Sequence, residues 1–362
     1  MNPLLDHRHT ETSGSDMNLN RRAHLRRRNN WMVAIAGLLV ILSVAFTVGC
    51  SSDSEAGAPV GVTFMAGFRP QANLPFVAAY VAKEQGFFAE EDLDVTIRHS
   101  SGQNEHLKLL LEDEVQFTTG TSAQVLRRRS EDIPVVAVAL FGQRGDQGFV
   151  TRADSGIATP ADFEGRSVGF KAGVIPAELH ALLKTAGLTV DDVNLQGVGF
   201  DPRVFIEGSV DVYPVFLDNE PDTIRTAGLD INVLDPHEFG VPTLGLTYLV
   251  TEKMLVERRD ITERYLRASL RAVAWISTHV DEAVDITLIY AEGSDPVHQR
   301  FLLTTDLENA YRADGIGRGT QDQWSALQDV LVEFEVLEEA VDVSLAFDGS
   351  LVDALYEEDE IK

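Results

Sequence analysis

The chain reads as an α/β protein of two lobes joined by two crossing segments, with a run of helices after the second crossing returning to the first lobe. Three observations carry that expectation. Strand-like and helix-like stretches alternate from Val60 to Leu234, the grammar of parallel sheets with crossover helices. The same grammar restarts near Thr159 after an apolar stretch that reads as a crossing strand. At 362 residues the chain exceeds what one core usually supports, since single cores stop growing near ~250–300 residues.

The stretch that organises the rest is Gly67–Asp94. Before it, Val60, Val62 and Phe64 alternate as a strand. Asn73 is placed to cap a helix and Pro75 suits its first turn, while Phe76, Val77, Tyr80 and Val81 mark one buried face until Gly86 ends it. A Gly-Phe-Phe turn and acidic residues lead into the next strand, Asp94–Ile97. Such a unit is a right-handed crossover, so Phe68–Leu74 falls at the carboxyl end of a strand, where α/β sheets collect ligands.

Further elements follow in order. Glu105–Glu112 reads as a helix on a Leu107, Leu110, Leu111 stripe, and Val115–Thr118 as a strand ending in the hydroxyl-rich Thr119-Gly120-Thr121-Ser122. Pro134–Leu140 is an apolar run suited to a strand buried on both faces. Crossings are expected near 148–152 and 243–250. Between them come strands at 166–170, 193–200, 210–215 and 231–234, and a helix at 176–186. Thr262 is read as the cap of a long helix with Leu266, Leu270, Val273, Ile276 and Val280 at helical period. Helices at 282–291, 297–313 and 321–334 follow, and the acidic run 357–360 reads as a frayed, solvated tail.

The amino terminus has a different character. RRAHLRRR at 21–28 precedes a nearly uncharged run, Trp31–Gly49, and then Cys50, the single cysteine of the chain. A basic region, an apolar region and small residues before a cysteine predict a lipoprotein signal over 1–49 and a tether over 50–58, with Cys50 carrying lipid such as palmitate. The general secretory and twin-arginine routes both remain open, as does a retained membrane helix, because Trp31–Gly49 is just long enough to span. The folded part is expected on the extracytoplasmic face of the cell membrane.

Charge excludes some functions. The whole chain carries 30 basic and 57 acidic residues, of which six Arg and three acids lie in the first 49, leaving the remainder at a formal −30. So negative a surface repels nucleic acid and gives no steering to anionic substrates. Catalytic patterns are scarce. GxSxG, HExxH and a GK[ST] phosphate loop are all missing, and nothing points to a metal or cofactor.

The stretches YVAKEQGFFAEEDLDV, LLLEDEVQFTTGTSAQVL and TPADFEGRSVGFKAG resemble the substrate-binding proteins of ABC importers in the sulfonate/thiamine-pyrimidine family, including its riboflavin-binding branch. The resemblance implies a periplasmic-binding-protein fold, type II-like, with lobe 1 over 59–150 plus 247–362 and lobe 2 over 151–246. It also implies a monomer that serves a permease and an ATPase rather than catalysing a reaction. Family substrates include alkanesulfonates, taurine, nitrate-like anions, thiamine pyrimidine precursors and riboflavin; the same fold hosts a pyrimidine synthase and a desulfinase.

Loops of both lobes then supply the candidate ligand contacts. From the first come Phe68, Arg69, Gln71, Asn73, Ser101, Thr119, Thr121, Phe141 and Gln143; from the second, Lys171, Gly173, Tyr213, Phe216, Asp218 and Asn219. Aromatic rings suit stacking on a planar heterocycle, and the Asn, Gln and Asp groups match its donors and acceptors. For Tyr213 and Phe216 a core role stays open, and Lys171 is equally readable as a solvated loop lysine. His99 and His106 read as isolated surface or loop residues. These features favour a planar vitamin or precursor, riboflavin before a thiamine pyrimidine, with a sulfonate or taurine-type ligand as the alternative.

Overall fold

The computed structural model describes residues 58–361 apart from Ala172 and Val174. The expected signal, the Cys50 lipidation site and most of the tether lie outside the described residues. No helix among the described residues is long and apolar enough to cross a membrane.

Among the described residues, ten strands form two mixed sheets. Strands β1 (Val60–Ala66), β2 (Leu93–His99), β3 (Phe117–Thr121) and β4 (Val135–Leu140) come first. They are followed by β5 (Gln147–Arg152), β6 (Ser167–Phe170), β7 (Asn194–Gly197), β8 (Val212–Phe216), β9 (Ile231–Leu234) and β10 (Leu246–Thr251). One sheet has the order β2-β1-β3-β10-β4, the other β7-β6-β8-β5-β9. In each, the fourth strand runs antiparallel to its neighbours and is the strand that follows a crossing.

This moves the crossings from where the sequence suggested them. Strand β5 lies wholly in the second sheet and β10 wholly in the first, so the chain crosses before each of them, at 141–146 and 235–245. The two passages touch. Gly245 N donates to Gly142 O at 2.9 Å, and Gly142 N to Leu246 O at 3.1 Å. A Cβ on Gly142 would meet Gly245 Cα at 2.5 Å, so backbone packs on backbone and only glycine fits there.

Both faces of the first sheet are covered. On one, the helices Leu74–Glu84 and Arg259–Ile276 pack Phe76, Tyr80, Tyr265 and Leu266 against Phe64 and Phe117. On the other, Trp324, Leu327 and Phe347 from the carboxyl-terminal region pack with Val125, Val135 and Leu140. Every residue of β4 is buried, as its unbroken apolar run requires. The second sheet has separate clusters around Phe163, Leu179 and Leu182, and around Phe205, Tyr213 and Ile224.

Several local expectations change. Thr262 does not cap the long helix, which starts at Arg259; it is buried in the first turn, its hydroxyl donating to Arg258 O. The acidic tail is not frayed. Glu360 accepts from Arg267, which also pairs with Glu91 and Glu263, and Ile361 is buried behind it. Partly buried ion pairs and an apolar anchor hold the end of the run, while Glu357, Glu358 and Asp359 stay solvent-exposed as expected. Helix 297–313 stops at Ala310, and the expected turn at Phe87 is a short helix, Phe87–Glu90.

Candidate ligand-binding cleft

A cleft of about 670 Å³ opens between the two sheets, where the loops after β1, β3, β7 and β8 meet. Asn73 sits at its centre. The residue occupies the cap position of the helix Leu74–Glu84, yet its side chain makes no capping bond. Its amide donates instead to Asp218 at 2.9 Å and to Asp306 at 3.3 Å, and its oxygen accepts from Gln71 at 2.5 Å. The first amide of that helix, Leu74 N, donates to Asp306 at 2.8 Å.

Carboxylates crowd this place. Asp146, from the first crossing, joins Asp218, from the turn after β8, and Asp306, from the helix Pro296–Ala310. Burial pushes all three pKa values up, that of Asp146 to about 6; Glu220 adds repulsion at Asp146, and the neighbouring aspartates add it at Asp218 and Asp306. The cleft floor is therefore rich in carboxyl groups that hold protons more readily than usual, and poor in free cations. Arg69 is the one cation lining the cleft among the described residues.

Lys171 is occupied elsewhere. Its ammonium pairs with Glu220 at 2.5 Å, while Phe200, Tyr213 and Phe216 place their rings 5.0–5.3 Å away. The other Glu220 oxygen accepts from Phe216 N at 2.7 Å. Both groups are close to fully buried, so the pair is neutralised internally and fixes the turn carrying Phe216.

Of the residues singled out from the sequence, Phe68, Arg69, Gln71, Asn73, Thr119, Thr121, Phe216, Asp218 and Asn219 line the cleft. The rest are placed outside it. Ser101 is exposed and bonds to Glu105 at 2.7 Å. Phe141 is buried edge-on against Tyr248. Gln143 fastens the first crossing to the carboxyl-terminal region by donating to Arg318 O at 2.8 Å and accepting from Arg312 at 3.2 Å. Gly173 is an exposed turn residue at φ 72°, and Tyr213 is a core residue whose hydroxyl donates to Gly199 O at 3.0 Å. Thr121 also caps the following helix by a capping box with Gln124.

Sequence reasoning missed Asp146, Phe200, Glu220 and His106. Phe200 and Phe68 are half-exposed rings at the same opening. His106 is buried rather than on the surface, with Nδ1 3.3 Å from Ser100 Oγ. Burial pushes its pKa down to about 4. The signal for Asp146 and Phe200 was positional, since Phe200 ends the expected strand 193–200 and Asp146 lies in the loop before the expected crossing strand at 148.

Comparison with known proteins places this geometry. The profile of the NMT1/THI5-like family matches residues 73–283, more than half of the chain. The chain belongs to that family. A riboflavin-binding protein, RibY, of Chloroflexus aurantiacus is 27% identical over 346 residues, covering 88% of this chain and 97% of that protein. A formylaminopyrimidine-binding protein of Halalkalibacterium halodurans is 29% identical over 259 residues, 69% of this chain and 77% of that one. Among solved structures, the periplasmic aliphatic sulphonate binding protein SsuA of Escherichia coli superposes with a TM-score of 0.62 at 13% identity, covering 79% of this chain and 91% of its own. The likeness identifies the periplasmic-binding-protein fold that the resemblance implied.

Proposed function

We propose that this protein is a solute-binding component of an ABC importer that encloses a neutral, planar vitamin or vitamin precursor, riboflavin ahead of a thiamine pyrimidine, between its two lobes. The observation that carries the reading is the charge of the cleft. Asp146 and Asp218 line it, Asp306 stands behind them, and Lys171 is already paired. A sulfonate would meet carboxylates that must be neutralised first, at a desolvation cost few binding sites carry. A heterocycle with N–H donors meets acceptors. Size supports the larger ring system: about 670 Å³ lies in the range of pockets for drug-sized ligands.

In this reading lobe 1 comprises 59–140 with 246–362 and lobe 2 comprises 147–234, joined by the passages 141–146 and 235–245. The paired passages at Gly142 and Gly245 act as the hinge, absorbing the rotation by which both lobes close on the ligand. The closed shape is what the permease recognises. Lipid attachment at Cys50 would hold the protein at the extracytoplasmic face of the membrane. Binding is favoured over catalysis because Lys171 is sequestered by Glu220 outside the cleft and the chain's single cysteine precedes the fold in sequence.

Melting of the purified protein with riboflavin, a formylaminopyrimidine and taurine added separately tests the proposal. A ligand at ~100 times its dissociation constant adds about 2.7 kcal/mol and raises the midpoint by several degrees. A shift with either heterocycle supports the reading, and a shift with taurine alone overturns it.

A further inference from the structure

Apart from the carboxylates and Arg69, the cleft is lined by one more titratable side chain free to meet a ligand. His106 stands at the start of the helix Glu105–Leu111, 6% exposed, with its ring against the loop after β1. Its Nδ1 lies 3.3 Å from Ser100 Oγ. Ser100 is itself buried, and its oxygen already accepts from Gly102 N at 3.2 Å. The Ser100 hydroxyl keeps its own proton to donate, and we assign it to Nδ1, the hydrogen-bonding partner in reach. A nitrogen that accepts carries no hydrogen, so the single hydrogen of the neutral ring sits on Nε2.

That nitrogen has no hydrogen-bond partner among the described residues. It faces the place where Gly67 carries no side chain: a Cβ there would stand 3.3 Å from Nε2 and 3.0 Å from Thr119 Oγ1. Any other residue at 67 would close the approach. Burial keeps the ring neutral, aided by the Arg128 charge and opposed by Glu105. The ring lines the open cleft, so water can accept from Nε2–H in the free protein and an acceptor of the ligand can take its place.

We propose that His106 is a specificity-determining residue of the cleft: oriented by Ser100 as the Nε2–H tautomer, it donates to a ring nitrogen or carbonyl oxygen of the ligand. Resting on the function proposed above, the inference narrows the ligand class. The solute presents an acceptor to His106 of the first lobe and N–H or O–H donors to Asp218 of the second. Simple alkanesulfonates have acceptors but no such donors.

Two readouts test this independently. In ¹⁵N-histidine-labelled protein, with the His106 resonances assigned by their loss in His106→Gln, the free protein is expected to show a protonated Nε2 and an unprotonated Nδ1. Riboflavin and formylaminopyrimidine titrations then compare wild type, His106→Gln, which keeps a donor near the Nε2 position, and His106→Leu, which removes it. Leu is expected to weaken binding about 5- to 100-fold, the effect of stranding or deleting one hydrogen bond, and Gln to restore most of it. Melting of the two variants without ligand separates loss of contact from loss of fold. A protonated Nδ1, or a folded His106→Leu protein that binds as tightly as wild type, overturns the inference. If neither heterocycle binds the wild type, the functional reading falls, and the tautomer in the free protein still decides the orientation claimed for His106.

Discussion

Asn73 donates to Asp218 at 2.9 Å across the cleft, joining the loop after the first strand to the turn after β8. The same amide reaches Asp306, so one neutral side chain separates two carboxyl groups that would otherwise face each other undiluted. This is why Asn73 gives up its expected capping bond.

Replacing Asn73 with alanine should therefore cost more than a lost cap. Hydrogen bonds to charged groups contribute about 1.5–3 kcal/mol, and thermal melting of Asn73→Ala is expected to fall by that amount. Asn73→Asp, which adds another carboxylate, should lose still more at pH 8 than at pH 5. Equal losses at both values would contradict the electrostatic account.

The carboxyl cluster also sets a sign for pH dependence. Asp146, Asp218 and Asp306 have folded-state pKa values above the ordinary carboxylate range of about 3.9. From about pH 4 upward through those values the folded state holds protons that the unfolded chain has lost, so stability falls as pH rises. The contribution is complete below about pH 4; Asp146 loses its share through about pH 6. Wild type should melt higher at pH 5 than at pH 8. Asp306→Asn, whose amide oxygen still accepts from Leu74 N, should narrow that gap.

Lys171 and Glu220 offer a coupling test. With side chains 11% and 7% exposed, removing one partner strands a buried charge. Lys171→Met is expected to cost about 3–5 kcal/mol in denaturant melts, while Lys171→Met with Glu220→Gln recovers much of it. Additive losses would mean that the two groups do not act as a pair.

Phe200 separates binding from folding. Its ring is 59% exposed, so Phe200→Ala should change stability by no more than about 0.5 kcal/mol. If the ring stacks on a planar ligand, affinity should fall by about 1–3 kcal/mol, roughly 5- to 150-fold. Fluorescence titration reads this directly, and an unchanged affinity would remove Phe200 from the site.

Most of the fold was legible because its signals are local. Alternating Val60, Val62 and Phe64, the Leu179, Leu182, Leu183 stripe and the apolar run before Leu140 each report their own burial. What stayed hidden depends on distant chain. Asp306 is a helix residue with nothing in its neighbourhood to mark it, and it reaches the cleft because its helix packs beside the loop after the first strand. His106 reads as an isolated helix residue until Ser100 and Gly67 are seen beside it. The choice between Tyr213 as core and Phe216 as wall turns on where the strand ends, β8 burying all of 212–215 while Phe216 emerges at its end. The crossings were shifted because β5 and β10 are as apolar as core strands, and only their pairing assigns each to one sheet.

The central claim is that the acidic, aromatic cleft selects a neutral planar heterocycle over a taurine-type sulfonate. Calorimetric titration of the purified protein with riboflavin, formylaminopyrimidine and taurine under one buffer condition addresses it most directly. Saturable one-to-one binding of a heterocycle, with no heat from taurine, is the expected result. Saturable taurine binding with both heterocycles silent would contradict it.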